Sequence, residues 1–341
     1  MYKISKENLN ALYAAIAGGN DLFLPVKNAG QTNFGLWTES ADVDIDTLKT
    51  VKSAKDIFFP QSESLYQVRR QDGKLEIQGE ALREKPFVVF GIRGCDVKGM
   101  EVLDKVFLSE PVDSYYAARR EHGILVSYAC GNPETSCFCK VFGVDCAEPA
   151  GDVVTWLVGD TLYWEAKTKK GEALTETLGN LLEKADTADG EKEKEKIRAI
   201  VERLPYSNLS LEKWGAAAAD KNFDSKLWEQ LYSPCLACGT CTFVCPTCQC
   251  YDIKDYTTSS GVQRYRCWDS CMYSDFTMMA HGNNRTSQMQ RFRQRFMHKL
   301  AYFPANNNGM FSCVGCGRCV DKCPSHLNIV KVIKAFEKEG V

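Results

Sequence analysis

Eight cysteines form two copies of one motif, C-x2-C-x2-C-x3-C-P. The first copy comprises Cys235, Cys238, Cys241 and Cys245, and the second comprises Cys313, Cys316, Cys319 and Cys323. This spacing is typical of chains that bind [4Fe–4S] cubanes. Two intervening residues allow a tight turn to direct three thiolates toward one cluster, and the following proline turns the chain away because it fixes φ and lacks an N–H donor.

In two-cluster ferredoxins the fourth cysteine of each run binds the cluster of the other run. We therefore predict one [4Fe–4S] cluster held by Cys235, Cys238, Cys241 and Cys323, and a second held by Cys313, Cys316, Cys319 and Cys245. Zinc is the alternative, because C-x2-C pairs also form zinc ribbons. Zinc sites normally use two such pairs rather than two complete four-cysteine runs, so the pattern favours iron–sulfur clusters.

Four cysteines in the first half of the chain follow two predicted strands. Cys95 follows the run that ends at Phe90, and Cys130, Cys137 and Cys139 follow the run that ends near Tyr128. Loops at the carboxyl ends of neighbouring parallel strands gather along one edge of a sheet. We expect these four thiols to bind a third [4Fe–4S] cluster. A zinc site and ordinary buried thiols are the alternatives, and Cys146 is interpreted as an isolated core thiol.

A further group lies just after the first run: Cys248, Cys250, Cys267 and Cys271. Four thiolates at these positions could hold another metal. Alternatively, Cys248 and Cys250 could donate weak S–H hydrogen bonds that tune the potential of the nearest cluster.

The remaining polar residues show no catalytic pattern. The four histidines have no metal-binding spacing, and neither a phosphate-binding glycine loop nor a serine nucleophile motif is present. Arg291, Arg295 and Lys299 are spaced four apart on a predicted helix and are interpreted as a solvated face. The charged run at 191–196 is interpreted in the same way.

Hydrophobic patterning predicts which elements position these cysteines. Buried strands at 86–91 and 123–128, separated by a helix at 97–107, indicate an α/β region on a partly parallel sheet. Apolar stripes on helices after residue 225 indicate a mainly α-helical dicluster ferredoxin domain. The predicted organisation is an α/β domain over 1–170, a helical, charged connecting segment over 171–224, and the ferredoxin domain over 225–341.

Composition limits the function classes. The net charge is −2, which provides no general attraction to nucleic acid. No apolar run reaches the length of a membrane span, and no secretory signal is visible at the N-terminus. We therefore expect a cytoplasmic protein whose 17 cysteines stay reduced and hold metal. Clusters sensitive to air suggest anaerobic metabolism.

Several motifs together resemble a known group of iron–sulfur proteins. The motif residues lie at 91–96, 137–139, 235–250, 268–271, 293–299 and 313–319. The chain is similar to the beta subunit of cytoplasmic sulfhydrogenase, to an iron–sulfur component of anaerobic sulfite reductase, and to ferredoxin-like subunits of heterodisulfide-reductase-type complexes. This resemblance implies a hetero-oligomer that contains a catalytic redox subunit together with an FAD- and NAD(P)-binding flavoprotein subunit.

Two functions follow from these patterns. The first is a non-catalytic electron-transfer subunit that relays electrons through [4Fe–4S] clusters between an NAD(P)H-linked flavoprotein and a partner redox enzyme. The second is a reductase in which a cluster or thiol acts directly on a sulfur compound. A zinc-holding interaction module is the third alternative, and bound iron would exclude it.

Overall fold

The computed structural model describes residues 1–71, 74–259 and 261–339. The strands are β1 (Tyr2–Ser5), β2 (Asp21–Asn28), β3 (Gln31–Leu36), β4 (Ser62–Gln71), β5 (Lys74–Gly79), β6 (Phe87–Ile92), β7 (Gly123–Tyr128), β8 (Val153–Val158), β9 (Thr161–Ala166), β10 (Glu183–Lys184), β11 (Tyr251–Thr258), β12 (Gly261–Trp268), β13 (Met278–Met279) and β14 (Gly282–Asn283). The α-helices are α1 (Leu9–Ala17), α2 (Lys55–Phe58), α3 (Gly94–Phe107), α4 (Ser114–His122), α5 (Lys169–Leu178), α6 (Ala188–Glu202), α7 (Ala219–Phe223), α8 (Leu227–Leu231), α9 (Thr240–Phe243), α10 (Gln288–Met297), α11 (Phe303–Asn306), α12 (Arg318–Asp321) and α13 (Ile329–Lys338).

The first half of the chain is built on an eight-stranded mixed sheet with the order β10-β1-β9-β8-β7-β6-β2-β3. The pairs β2–β6, β6–β7 and β7–β8 are parallel, and the other pairs are antiparallel. Every residue of β6 is buried, which is why its sequence is continuously apolar. The expected α/β character of this region is confirmed.

Helices cover both faces of this sheet. Leu12 of α1 and Leu174 of α5 pack with Phe90 of β6 on one face. Met100 of α3 and Tyr116 of α4 pack with Phe87 on the other. A central parallel strand needs apolar cover on both sides, and this arrangement places the carboxyl ends of β6 and β7 next to each other at one edge.

A second sheet contradicts the prediction that the segment between the two cysteine runs is mainly helical. Its order is β11-β12-β4-β5, and β12 pairs antiparallel with β4. The segment therefore begins with a hairpin that completes a sheet with strands from the first half of the chain. Unpaired strand edges are unfavourable, and each hairpin covers one edge of the other.

The two predicted C-terminal helices are present. Helix α10 starts at a capping box formed by Ser287 and Gln290 and continues through a π-helical turn, His298–Tyr302, into α11. Helix α13 is capped by Asn328. The apolar faces of α10 and α13 meet in one cluster that includes Phe296 and Phe336.

The segment at 171–224 contains α5 and α6, but its charged run is not fully solvated. Glu193 and Lys194 are 8% and 4% exposed. The ammonium of Lys194 lies 4.8 Å from the centre of the Trp156 ring, so it covers the main sheet instead of facing water. The three-domain division stays a prediction, and α6 packs on the sheet of the first half.

Candidate iron–sulfur centres

The two cysteine runs share one local structure. Gly239 and Gly317 have φ of 73° and 78°, a left-handed conformation that glycine adopts without steric cost. Each glycine precedes a one-turn helix, α9 or α12, that carries the third cysteine of its run, Cys241 or Cys319. The repeated motif thus gives a repeated loop.

The four thiols predicted for the first cluster line one cavity: Cys235, Cys238, Cys241 and Cys323. Phe292, Phe296 and Leu327 supply apolar walls. Cys238 is exposed, and Leu236 beside it is 69% exposed. The cavity therefore lies close to the surface on that side, and the fourth cysteine of the second run lines it together with three cysteines of the first.

The thiols predicted for the second cluster are also brought together. Burial is the largest cause that raises the pKa of Cys313, Cys316 and Cys319, and the nearby thiol of Cys245 adds to the rise in all three. A thiol with a raised pKa keeps its proton until a metal displaces it. These four side chains thus match the ligand chemistry of a cubane, and their assignment as ligands stays a prediction.

Single-ion geometry is different. Across the described residues, no three cysteine, histidine, aspartate or glutamate side chains stand close enough together to share one metal ion. A cubane has a different requirement, because each of its four thiolates binds a different iron atom and the sulfur atoms stand farther apart.

Two cations of α10 and the turn after it lie beneath the cysteine runs, so the prediction of a solvated basic face is wrong for them. Arg295 is 3% exposed and Lys299 is 4% exposed. Burial lowers the pKa of both side chains, but nearby thiols outweigh it and the net shift is upward. For Arg295 the first of these are Cys241 and Cys319, one from each run.

Lys299 is tied to the second set of thiols. Its ammonium donates to Thr247 Oγ1 at 2.7 Å and to the Ser312 carbonyl at 3.1 Å. Cys245 and Cys313 are among the thiols that raise its pKa. A cubane with four thiolate ligands is an anion, so two buried cations at this place offset charge that the bare thiols do not carry.

The structure also gathers the cysteines of the first half. Cys95 lies in the first turn of α3, Cys130 follows β7, and Cys139 starts a 3-10 turn, Cys139–Phe142. These three pack in one buried cluster. Cys137 is buried as well, and its thiol faces the ammonium of Lys49.

Cys146 belongs to the same cluster, which contradicts its interpretation as an isolated thiol. It is buried, as expected, but its Sγ lies 3.2 Å from Cys139 Sγ. It also hydrogen-bonds the thiol of Cys130. Cys139 and Cys146 are seven positions apart, a spacing that fits no common ligand motif, and only the turn that follows Cys139 brings the two together.

The cysteines of the first half border the second run. The Phe138 N–H donates to the Gly315 carbonyl at 2.9 Å. A Cβ at Gly315 would stand 2.5 Å from the Phe138 backbone, so the approach requires glycine there. The thiol of Cys95 is close enough to Cys316 to affect its pKa, after burial and the charge of Asp96. The two groups of thiols are therefore neighbours.

The remaining four cysteines separate into three and one. The thiol of Cys248 hydrogen-bonds Cys245, and that of Cys250 hydrogen-bonds Cys271. Cys267 stands apart, beside Lys254 and Asp252 on the β11–β12 hairpin. Three thiols of this group therefore lie together, and the fourth faces charged side chains of the hairpin.

Lys55 adjoins these three thiols. It is 1% exposed, its ammonium donates to the Cys248 carbonyl at 2.9 Å, and it lies 3.6 Å from the centre of the Trp268 ring. Burial lowers its pKa to about 8, although the thiols of Cys248 and Cys245 act in the opposite direction. Nothing in the sequence marks Lys55, because 193 positions separate it from Cys248.

Comparison with known proteins agrees with these centres. Residues 234–327 match the family described as 4Fe-4S dicluster domain, so this region carries two [4Fe–4S] clusters. No solved structure matches the chain. Within the described residues, the helices are too short or too polar to cross a lipid bilayer.

The similarity extends well beyond the cluster region. The chain is 32% identical over 331 residues to sulfhydrogenase 2 subunit beta of Pyrococcus furiosus, covering 93% of this chain and 92% of that protein. Such coverage includes both the sheet of the first half and the cysteine runs. The chain therefore belongs to the sulfhydrogenase beta-subunit family.

Proposed function

We propose that this chain is the electron-transfer subunit of a multi-subunit cytoplasmic oxidoreductase. It passes electrons through [4Fe–4S] clusters between a catalytic redox subunit and an FAD-containing, NAD(P)H-linked flavoprotein subunit. The dicluster domain and the related sulfhydrogenase protein support an iron–sulfur electron carrier. All 17 cysteines are free thiols, which agrees with a reducing compartment.

The contiguity of the thiol sets carries this proposal. The surface cavity at Cys238 contains Cys241, which shares Arg295 with Cys319 of the second run. Cys316 of that run borders Cys95 in the first half. A third [4Fe–4S] cluster among the thiols around Cys95 would extend the relay from the exposed cavity toward the main sheet. One-electron transfer of this kind needs no acid or base.

The protein's contribution is to hold the clusters and set their potentials. Burial and nearby cations control how easily a cluster accepts an electron. Arg295 lies between the two ferredoxin centres, and Lys299 lies beside the second. Both therefore favour the reduced state of the clusters that they face.

The relay is tested in the complete complex, purified without oxygen. Cys316→Ser should remove one cubane, which iron and sulfide analysis verifies. Electron flow from NAD(P)H to the final acceptor should then stop, while the flavoprotein continues to reduce an artificial dye. Cys267→Ser is the matched control, since that thiol stands apart from the three sets. If turnover survives loss of the cluster, the relay proposal is wrong.

One observation favours a second candidate function. Cys248, Cys250 and Cys271 provide three thiols beside the buried ammoniums of Lys55 and Lys299. Three ligands would leave one iron of a cubane open to a sulfur compound, which the cations could attract. Reduction of polysulfide or sulfite by the isolated chain, with a reduced dye as donor, would support this function. Loss of that reduction in Cys250→Ser but not in Cys267→Ser would assign it to these thiols.

A further inference from the structure

Five buried cysteines converge at the carboxyl ends of β6 and β7, but a cubane takes four thiolates. The five are Cys95, Cys130, Cys137, Cys139 and Cys146. Their positions in the sequence favour Cys137, because it forms a C-x-C pair with Cys139. The contacts between their side chains favour a different set.

Cys146 makes the closest contacts in the group. Its Sγ is 3.2 Å from Cys139 Sγ, and its thiol hydrogen-bonds that of Cys130. The backbone holds the same residues together, because the Cys130 N–H donates to the Cys146 carbonyl at 2.9 Å. Three thiols therefore point at one another from three separate stretches of chain, and Cys95 joins them in the same buried cluster.

Cys137 lies outside that cluster. Burial raises the pKa of its thiol to about 12, and the strongest electrostatic neighbour is the Lys49 ammonium. Lys49 also pairs with Glu134 at 2.7 Å and with Asp321. This side of the loop is therefore an ion-pair network that fastens the loop to the second cysteine run.

Two buried cations border the other four cysteines. Arg93 is 4% exposed, and its Nη1 donates to the Ala129 carbonyl at 3.0 Å. Its Nε is buried and has no hydrogen-bond partner among the described residues, although buried donors are normally satisfied. Arg318 faces Cys95 from the second run. Buried positive charge at this place matches an anionic cluster.

We propose that Cys146, and not Cys137, is the fourth ligand of the N-terminal [4Fe–4S] cluster, together with Cys95, Cys130 and Cys139. This inference rests on the third cluster of the proposed function. It assigns Cys137 and Lys49 to fastening the loop, and it places the cluster against Cys316.

Single substitutions in the full-length chain, purified without oxygen, test the ligand set. Cys139→Ser is the reference, because Cys139 belongs to both possible sets and its loss should remove about four iron atoms per chain. Cys146→Ser should show the same loss of iron and the same missing signal in the electron paramagnetic resonance spectrum after reduction. Cys137→Ser should keep the iron content and spectrum of the unmodified chain.

Each result is decisive. Iron loss in Cys137→Ser, alone or together with Cys146→Ser, would overturn the ligand set. A Cys139–Cys146 disulfide in the anaerobic protein, detected by mass spectrometry after alkylation, would also overturn it. If instead Cys139→Ser keeps all of its iron, the third cluster itself is absent and the fault lies in the proposed function. Circular dichroism of each variant checks that the chain has folded, and Cys146→Ala repeats the measurement without a hydroxyl that could bind iron.

Discussion

Arg318 and Asp96 form a two-pronged ion pair in the interior of the protein. Arg318 Nη1 donates to Asp96 Oδ1 at 2.5 Å, and Nη2 donates to Oδ2 at 2.8 Å. Asp96 follows Cys95 in α3, and Arg318 stands two positions after Cys316. The pair thus fixes the cysteines of the first half against the second ferredoxin run.

Neutralising the acid of this pair should destabilise the protein strongly. Asp96→Asn leaves the Arg318 guanidinium buried without its counter-charge, and breaking a buried pair in this way costs about 3–5 kcal/mol. Denaturant unfolding of the anaerobic protein measures the change. Asp255→Asn is the control, because Asp255 makes the same two-pronged contact with Arg264 at the surface. Equal losses in the two variants would contradict the role given to burial.

Removing the ammonium of Lys299 should make its neighbouring cluster harder to reduce. Lys299→Met deletes a buried positive charge beside Cys245 and Cys313, and reduction adds negative charge to the cluster. We expect a shift to more negative potential of at least about 60 mV, which is a tenfold change for a one-electron couple. A redox titration followed by electron paramagnetic resonance measures it.

Lys331→Met is the control for this change, since Lys331 is exposed on α13. It removes the same charge from a site that solvent screens. A potential that does not move in Lys299→Met, or that moves equally in both variants, would show that the buried ammonium does not act on the cluster.

The three thiols beside Lys55 should bind iron. Cys250→Ser should lower the iron content because Cys250 contacts Cys271 at the centre of this group. Cys267→Ser should leave the iron content unchanged, since the Cys267 thiol faces Lys254 instead. Iron analysis of both variants after anaerobic purification makes the comparison. Unchanged iron in Cys250→Ser would restrict these thiols to tuning a neighbouring cluster.

His298 should make stability depend on pH. Burial, with help from Lys299 and Arg285, lowers its pKa from 6.5 to about 4. The unfolded chain therefore binds more protons between these values, so His298 stabilises the fold fully above pH 6.5 and progressively less as the pH falls toward 4. Between pH 7.5 and 5.5 the expected loss is about 1.4 kcal/mol.

Comparison with His298→Gln isolates this contribution. The variant should lose less stability than the unmodified protein over the same pH range, as measured by denaturant unfolding. His281→Gln is the control, because His281 is exposed. If the pH dependence of His298→Gln equals that of the unmodified chain, another group is responsible for it.

Much of the relay was predictable because its chemistry is local. The spacing within each run determines a loop that can aim three thiolates at one point, and the repeat of that loop indicates two clusters. Cys95 and Cys130 were found by the rule that the carboxyl ends of parallel strands share an edge. The hairpin β11–β12 was missed, although Tyr251, Ile253 and Val262 are residue types that favour strands, since apolar helices farther along the chain dominated the pattern.

Tertiary structure alone decided which thiols meet and which charges are buried. Cys146 reaches Cys139 only through the turn between them, and Lys55 reaches Cys248 across 193 positions. Arg295 and Lys299 follow the spacing of a solvated face, and a buried cation would be unfavourable without negative partners. Those partners are thiols from distant segments, so the burial of these charges depends on contacts that a linear pattern does not record.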